Sequence, residues 1–319
     1  MRRRGPYSQR RQLVPDRSHS NPIGIHSLVW AGGWTEKQAR FAIEQSMLAG
    51  YDLIEILMMD PLSIDVPMTR RLLEEYELQA SASLGLSPAT DVSSADPDAL
   101  VAGRALLADA VSVGNDLGLI YLGGVVFGAL TKYAAPVSEV GRHNSVEAVR
   151  AMSESAALHG IPIGLELVNR YESNLLNTAA QAMAYIAEVD HDNVFVHLDS
   201  YHMNIEEPGM FEPVLTCGNR LGYVHIGESH RGYLGGGNVD FSGLFRGLEH
   251  IGYTGPITFE SFSSAVVDPA LSYTLAIWRN LWDDNADLAR HARGFISAQL
   301  GSDATRAMQD PHPPTQRQP

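Results

Sequence analysis

The segment PIGLELVNRYESNLLNTAAQAMAYIAEVDHDNVFVHLD, residues 162–199, holds two short apolar runs on either side of a helical pattern. The runs at 162–168 and 194–199 are nearly continuous in apolar character, which is typical of strands buried on both faces of a parallel sheet. Residues 178–189 between them have the apolar spacing of a helix. The segment therefore predicts one strand–helix–strand unit.

The same alternation continues outward from this unit along most of the chain. Eight strands are predicted, at 23–30, 52–57, 80–86, 119–126, 162–168, 194–199, 221–226 and 256–260. Helices are predicted between them, among others at 35–49, 67–77, 97–117, 145–159 and 178–189. This pattern indicates an α/β protein with a single (β/α)8 TIM barrel. A doubly wound open sheet is the structural alternative, but no GxGxxG motif follows the first strand.

The barrel is predicted to occupy residues 21–301, between two polar tails. Residues 1–20 are rich in Arg, Ser and Pro and lack periodicity, and residues 302–319 are polar and rich in Pro. Both tails are predicted to be disordered. The 319 residues suit one barrel of about 250 residues with such extensions.

Composition and charge exclude several classes of protein. The 23 basic and 37 acidic residues give a net charge of 23 − 37 = −14, which disfavours nucleic acid as a partner. A single cysteine, Cys217, excludes a disulfide scaffold and a Cys-rich zinc site. The longest uncharged apolar stretch, 117–131, is shorter than the roughly 20 residues that a membrane span needs. No apolar segment of a secretory signal follows Arg2–Arg4, so a cytoplasmic location is expected.

An ionisable residue lies near the carboxyl end of each of the last four predicted strands. These residues are Glu166, Asp199, His225 and Glu260, separated by 33, 26 and 35 positions, about one strand–helix unit each. Equivalent positions on successive barrel strands converge at the carboxyl-terminal face. Because burying such groups unpaired is costly, a divalent cation is expected among them. Three carboxylates and one imidazole favour Mn²⁺, while Mg²⁺ and Co²⁺ also fit, and no organic cofactor is expected.

Four longer strings around these positions resemble one family. They are LELVNRYE, HLDSYHMNIEEP, YVHIGESHRGYLGGG and GYTGPITFESF, and weaker similarity extends from residue 23 to about 300. On these strings the chain resembles the D-tagatose 3-epimerase/D-allulose (D-psicose) 3-epimerase family of xylose-isomerase-like TIM barrels.

The resemblance implies a free ketose as substrate and inversion of its C3 configuration. It implies that the same four residues bind the metal, that Glu172, His202 and Arg231 contact the sugar, and that the protein is a homodimer or homotetramer. At the far end of the sugar, His26 stands where several members have an aromatic residue. Ser83 and Leu130 stand where some members have Cys and Trp. His26 and Ser83 are therefore expected to line the substrate pocket and to influence which ketose is preferred.

Inverting a carbon beside a ketone requires removal of its C–H proton and return of a proton to the opposite face. Glu166 and Glu260 are the candidate catalytic residues, one as base and the other, protonated, as acid. A metal chelated by O2 and O3 would stabilise the developing charge. His202 and Arg231 are expected to donate hydrogen bonds to O2.

Several other features have structural interpretations. His197 is predicted to line the barrel interior, and Glu55 to be an inward-facing polar residue that pairs with a charge or lines the pocket. Gly235–Gly237 are interpreted as a flexible loop over the barrel mouth. Trp278 and Trp282, four apart, are predicted to pack on the last helix or to form an oligomer surface.

Three alternative functions remain at this point. An aldose–ketose isomerase of the same superfamily would move the proton between C1 and C2 instead. An apurinic endonuclease would need more histidines and a DNA-binding surface, which the charge disfavours. A non-catalytic sugar-binding protein has no need of two carboxylates around the substrate.

Phosphorylated sugars are disfavoured as substrates because Arg231 is the one basic residue near the predicted centre.

Overall fold

The computed structural model describes residues 21–267 and 269–309, and it contains a closed barrel of eight parallel strands in chain order. Each strand pairs with its sequence neighbours, and β8 closes the barrel against β1. The TIM barrel predicted from the alternation is confirmed. The strands are β1 Ile23–His26, β2 Leu53–Leu57, β3 Gln79–Leu86, β4 Leu122–Ala129, β5 Ile163–Glu166, β6 Val194–Asp199, β7 Leu221–Ile226 and β8 Ile257–Phe259.

Helices surround the barrel, and the apolar core lies between them and the strands. Among the described helices, none is both long and apolar enough to cross a bilayer. The α-helices are α1 Glu36–Leu48, α2 Val66–Tyr76, α3 Pro97–Leu117, α4 Glu139–Ala157, α5 Ala179–Val189, α6 Ser200–Glu206, α7 Phe211–Cys217, α8 Phe241–His250, α9 Pro269–Thr274 and α10 Asn285–Gln309.

Local capping explains where several of these helices begin. The Asp96 carboxylate accepts a hydrogen bond from the Asp98 backbone N–H, and Pro97 occupies the first turn of α3. At the start of α5, Thr178 and Gln181 form a capping box. The bounds predicted for α3 are confirmed, and α5 begins one residue later than predicted.

Other boundaries differ from the predictions because side chains redirect the backbone. β1 ends at His26. The Nδ1 of His26 accepts a hydrogen bond from Leu28 N, and the chain continues as a short 3₁₀ helix. β4 starts at Leu122 and not at Leu119 as predicted. Leu119 still belongs to the end of α3, because its backbone N–H donates to Gly114 O. α4 starts at Glu139, six residues before the predicted start, because the Ser138 hydroxyl caps it.

The end of the chain also differs. The Asp284 carboxylate accepts from Asp287 N and starts α10 at Asn285, so Trp278 and Trp282 precede the last helix and do not lie on it. α10 runs to Gln309 and so includes the first residues of the predicted C-terminal tail. The predicted tail segments 1–20 and 310–319 lie outside the described residues.

Candidate metal and sugar site at the barrel rim

Four ionisable side chains from successive strands converge at the carboxyl-terminal rim. Glu166 and Asp199 end β5 and β6, His225 is the next-to-last residue of β7, and Glu260 directly follows β8. All four are buried, with at most 8% of each residue exposed. One ligand atom from each lies within 4.8 Å of those of the other three. The structure thus brings the four predicted metal ligands into one cluster.

His225 lies at the centre of this cluster and presents its two ring nitrogens to different partners. Its Nδ1 is 3.2 Å from Glu166 Oε1, 3.6 Å from Glu260 Oε1 and 4.0 Å from Asp199 Oδ2. Its Nε2 is 2.8 Å from Glu55 Oε2, on the opposite side of the ring. Nδ1 therefore faces the three carboxylates, and Nε2 faces β2.

The protein environment gives the two glutamates opposite protonation tendencies. Burial raises the pKa of Glu166 to about 7, and the nearby charges of Glu260 and Asp199 add to the rise. Burial alone would also raise the pKa of Glu260, but the charges of His225 and Arg231 outweigh it and lower the pKa of this carboxyl. Near neutral pH the site therefore contains one carboxyl that tends to hold a proton and one that tends to be ionised.

The donor set and its charge fit a divalent cation. Among the described residues, Arg231 is the one Lys or Arg that forms an ion pair with any of the three carboxylates: its Nη1 is 3.1 Å from Asp199 Oδ2 and also bonds Glu260. Three carboxyl groups so close together in a buried site favour a cation that would compensate their charge. Three oxygen donors and one imidazole nitrogen within this span suit Mn²⁺, Mg²⁺ or Co²⁺.

Two hydrogen-bond donors point toward the same space beside the cluster. His202 Nδ1 accepts from the backbone N–H of Asn169 at 3.1 Å, so the neutral ring carries its proton on Nε2. The ring is neutral because burial lowers the pKa of His202 to about 3. Its Nε2 lies 3.2 Å from Arg231 Nη2 and 3.7 Å from Asp199 Oδ2. Two adjacent N–H donors form a place where an oxygen of a ligand can accept from both.

Glu172 borders the same space. Its Oε2 lies 3.9 Å from His202 Nε2, and Oε1 accepts from Asn169 Nδ2 at 2.7 Å. Burial raises the pKa of Glu172. The three residues for which the family resemblance implies sugar contacts, Glu172, His202 and Arg231, are therefore neighbours.

Arg231 is held in an unusual backbone conformation. It has a φ of +60°, a region that few residues other than glycine adopt, and its guanidinium lies over the rings of Tyr201 at 3.9 Å and Phe262 at 4.8 Å. The backbone is stabilised by hydrogen bonds from Arg231 N to Glu228 O and from the Ser261 hydroxyl to Arg231 O. Strain of this kind persists where the surroundings fix it.

Glu228, which the sequence analysis did not single out, organises the loop that carries Arg231. Its buried carboxylate accepts from the backbone N–H groups of Ser229, Gly235 and Val239 at 2.8–3.3 Å. A Cβ at Gly237 would lie 2.3 Å from Glu228 Oε1. The loop predicted to be flexible is thus bonded to one carboxylate at several points, and the glycines allow the backbone to approach it.

The residues expected at the far end of the sugar lie on the β1–β3 side. His26 Nδ1 accepts from Leu28 N, so the neutral ring carries its proton on Nε2, which lies 3.4 Å from Ser83 Oγ and 3.9 Å from Glu55 Oε1. Burial lowers the pKa of His26, which keeps the ring neutral. The ring centroids of His26 and His225 are 6.2 Å apart. Leu130, just after β4, packs against Gly85.

A pocket of about 220 Å³ opens beside the cluster. Glu172, Arg231 and Tyr201 line one side, and residues 275–281, including Trp278, form the other. Trp278 is 68% exposed and stacks on Tyr273, whereas Trp282 is buried and donates from Nε1 to Ser261 Oγ. The pocket gives solvent access to Arg231 beside the buried cluster.

The chain matches the family model described as xylose isomerase-like TIM barrel over residues 44–297. It is 56% identical over 273 residues to an L-ribulose 3-epimerase of Methylomonas sp. (strain DH-1), which covers 86% of this chain and 96% of that protein. It is 51% identical over 278 residues to a ketose 3-epimerase of Arthrobacter globiformis, covering 87% and 96%.

A solved structure agrees with this similarity in fold. The crystal structure of a D-allulose 3-epimerase from Methylomonas sp. in complex with D-allulose matches with a TM-score of 0.86 at 55% identity. The match covers 88% of this chain and 97% of that one.

Proposed function

The chain belongs to the xylose isomerase-like TIM barrel family and, within it, to the ketose 3-epimerases, and from this premise we propose a metal-dependent inversion of C3 in free ketoses. It is an isomerase that acts on carbohydrates. The observation that supports the mechanism is the buried cluster of Glu166, Asp199, His225 and Glu260, with ligand atoms within 4.8 Å of one another.

In the proposed mechanism these four residues hold the metal, with Mn²⁺ as the favoured ion. When bound, a divalent cation supplies Lewis-acid stabilisation of the negative charge that develops on the sugar oxygens. Three carboxylates and one guanidinium provide the charge environment that such an ion needs.

Two glutamates carry out the proton transfers. One of Glu166 and Glu260, ionised, removes the proton from C3 and leaves a cis-enediolate, while the other, protonated, returns a proton to the opposite face of C3. One proton is taken and one is given, and the two carboxyl groups exchange roles in the reverse direction. Their strands, β5 and β8, are separated in the barrel by β6 and β7, and this separation supports an approach to C3 from two directions.

Neighbouring residues position the sugar. His202 Nε2–H and the Arg231 guanidinium donate to O2 of the ketose, and both donors strengthen as charge develops there. Glu172 accepts a hydrogen bond from the adjacent O1 hydroxyl. His26 and Ser83 contact the far end of the sugar from β1 and β3.

We propose unphosphorylated five- and six-carbon ketoses as substrates, since the similar proteins are named for L-ribulose and D-allulose. Incubation with Mn²⁺ and either D-fructose or L-ribulose should yield the 3-epimers D-allulose and L-xylulose, identified by chromatography. Asp199→Asn should lose this activity. Asp192→Asn, a change at an exposed surface carboxylate, should retain it.

Two outcomes would contradict the proposal. An aldose product would indicate the 1,2-isomerase alternative. Much faster turnover of D-fructose 6-phosphate than of D-fructose would indicate a phosphorylated substrate.

The proposal also includes a homodimer or homotetramer in the cytoplasm. Light scattering after size exclusion should give two or four times the chain mass of 34.7 kDa. A mass of one chain at micromolar concentration would contradict the oligomer.

A further inference from the structure

Glu55 is a buried carboxylate that the proposed proton transfers do not use. It lies in β2, on the opposite side of the barrel from β5 and β6, and only 1% of it is exposed. Its Oε2 lies 2.8 Å from His225 Nε2. Its Oε1 has no hydrogen-bond partner and lies 3.9 Å from His26 Nε2.

The contact between Glu55 and His225 determines which ring nitrogen of His225 can bind a cation. A neutral imidazole carries one proton, on either Nδ1 or Nε2, and only the nitrogen without the proton can bind a metal. Nδ1 faces the carboxylates of Glu166, Glu260 and Asp199 at 3.2–4.0 Å. The Glu55 carboxylate oxygen, 2.8 Å from Nε2, accepts a hydrogen bond from it, which keeps the proton on Nε2 and leaves the Nδ1 lone pair directed at the cluster.

The other oxygen of Glu55 faces a second imidazole. His26 turns its Nε2–H toward the same carboxylate, since its Nδ1 is occupied by the Leu28 backbone N–H. Glu55 therefore lies between an imidazole of the metal cluster and an imidazole of the expected sugar pocket.

We propose that Glu55 is a positioning residue that fixes the tautomer and ring orientation of His225 and thereby sets the affinity of the site for its divalent cation. This inference rests on the metal site of the proposed function. Carboxylates that hold the second nitrogen of a metal-binding histidine typically change metal affinity by 10–100-fold when they are replaced.

The test measures Mn²⁺ binding directly, in the absence of sugar, by isothermal titration of the full-length protein after dialysis against EDTA. Glu55→Gln keeps the shape but lets the amide either accept from or donate to His225, so both tautomers become accessible. Its Kd for Mn²⁺ should rise on the order of 10–100-fold. At saturating Mn²⁺ most of the kcat should return, with little change in the KM for ketose.

The matched control is Ser81→Ala, at the position paired with Glu55 in the neighbouring strand β3. Ser81 bonds to the Tyr223 hydroxyl and not to His225, so the Kd of the Ser81→Ala variant for Mn²⁺ should stay within about twofold of the parent value.

If Glu55→Gln does not fold, ¹⁵N NMR of the parent protein loaded with Mg²⁺ gives the same information. It should show the His225 proton on Nε2.

An unchanged Kd in a folded Glu55→Gln variant, or a proton on Nδ1, would overturn the role of Glu55 and leave the proposed function intact. A parent protein that binds no divalent cation would overturn both. A parent protein that binds Mn²⁺ but epimerises no ketose would contradict the proposed function alone.

Discussion

At the scale of single residues, the site uses one side-chain type in several roles, and the surroundings decide each role. Glu166 is buried beside other carboxylates, and its pKa rises to about 7. Glu260 lies against Arg231 and His225, and its pKa falls. Glu55 accepts from His225 and takes no part in the proposed proton transfers. Their positions in the sequence indicate that these carboxyl groups are buried. Their different roles follow only from the residues around them.

The first prediction concerns Glu260 as a catalytic group. Glu260→Gln removes a base and a metal-ligand charge while keeping the shape, so kcat for ketose epimerisation should fall by at least about 10²–10⁴-fold. Circular dichroism should remain that of the parent protein. Glu188→Gln, at a carboxylate on the outer surface that pairs with Arg142, should keep full activity. Undiminished turnover by Glu260→Gln would remove this residue from the mechanism.

The second prediction concerns proton competition at the metal site. In the proposed site the cation binds Glu166 in its ionised form. Burial raises the pKa of Glu166 without metal to about 7, so the proton competes increasingly as pH falls below that value. From Glu166 alone, the Kd for Mn²⁺ should be about tenfold weaker at pH 6 than at pH 8. Competition with a fluorescent chelator at several pH values measures it. A Kd that is the same at pH 6 and pH 8 would contradict a ligand role for Glu166.

At the scale of elements, the loop after β7 determines where Arg231 lies. The glycines at 235–237 suggested mobility, yet the carboxylate of Glu228 accepts from three backbone N–H groups of this loop. Glycine marks both mobile loops and places where backbone must approach another group closely. The sequence pattern does not separate these two uses, whereas the hydrogen bonds do.

The third prediction tests this anchoring. In Glu228→Gln the amide N–H₂ can no longer accept, so backbone donors of the loop lose partners and the free energy of unfolding should fall by about 1–3 kcal/mol. The KM for ketose should rise, since the loop carries Arg231. Thermal unfolding and initial rates measure the two effects. Glu249→Gln, at an exposed position in α8, should change neither the free energy of unfolding nor the KM. An unchanged KM in Glu228→Gln would mean that the loop is held without this carboxylate.

The strands and the convergence of four ionisable strand-end residues were predictable for a physical reason that did not extend to the partners of these residues. Apolar runs ending in Glu166, Asp199, His225 and Glu260 repeat once per strand–helix unit, and a closed parallel barrel brings such ends together. The contact between Glu55 and His225 joins residues 170 positions apart across the barrel. No local pattern encodes that distance. Strand ends such as that of β1 depended on a single side-chain contact, from His26 to Leu28 N.

At the scale of the whole molecule, the buried cluster proposed to hold a metal brings together residues from the four strands β5 to β8. Three buried carboxylates repel one another there, and Arg231 and His225 only partly compensate them. An ion that binds this arrangement in the folded chain alone stabilises the whole barrel by mass action.

The fourth prediction follows from that linkage. Mn²⁺ at about 100 times its Kd should add about 2.7 kcal/mol of stability and raise the melting temperature on the order of 5 °C above that of the EDTA-treated protein. Differential scanning fluorimetry measures the shift. Asp199→Asn should largely abolish it, and a Mn²⁺ response equal to that of the parent protein would place the ion elsewhere.

The central claim is that a metal-loaded pair of glutamates exchanges a proton at C3 of a ketose. Proton NMR of L-ribulose incubated in D₂O with the Mn²⁺-reconstituted protein, quenched and freed of metal before recording, tests it most directly. L-xylulose carrying deuterium at C3 should form, and formation should stop after EDTA treatment and resume with one equivalent of Mn²⁺ per chain. An aldose product carrying deuterium at C2, or undiminished turnover in EDTA, would contradict the claim.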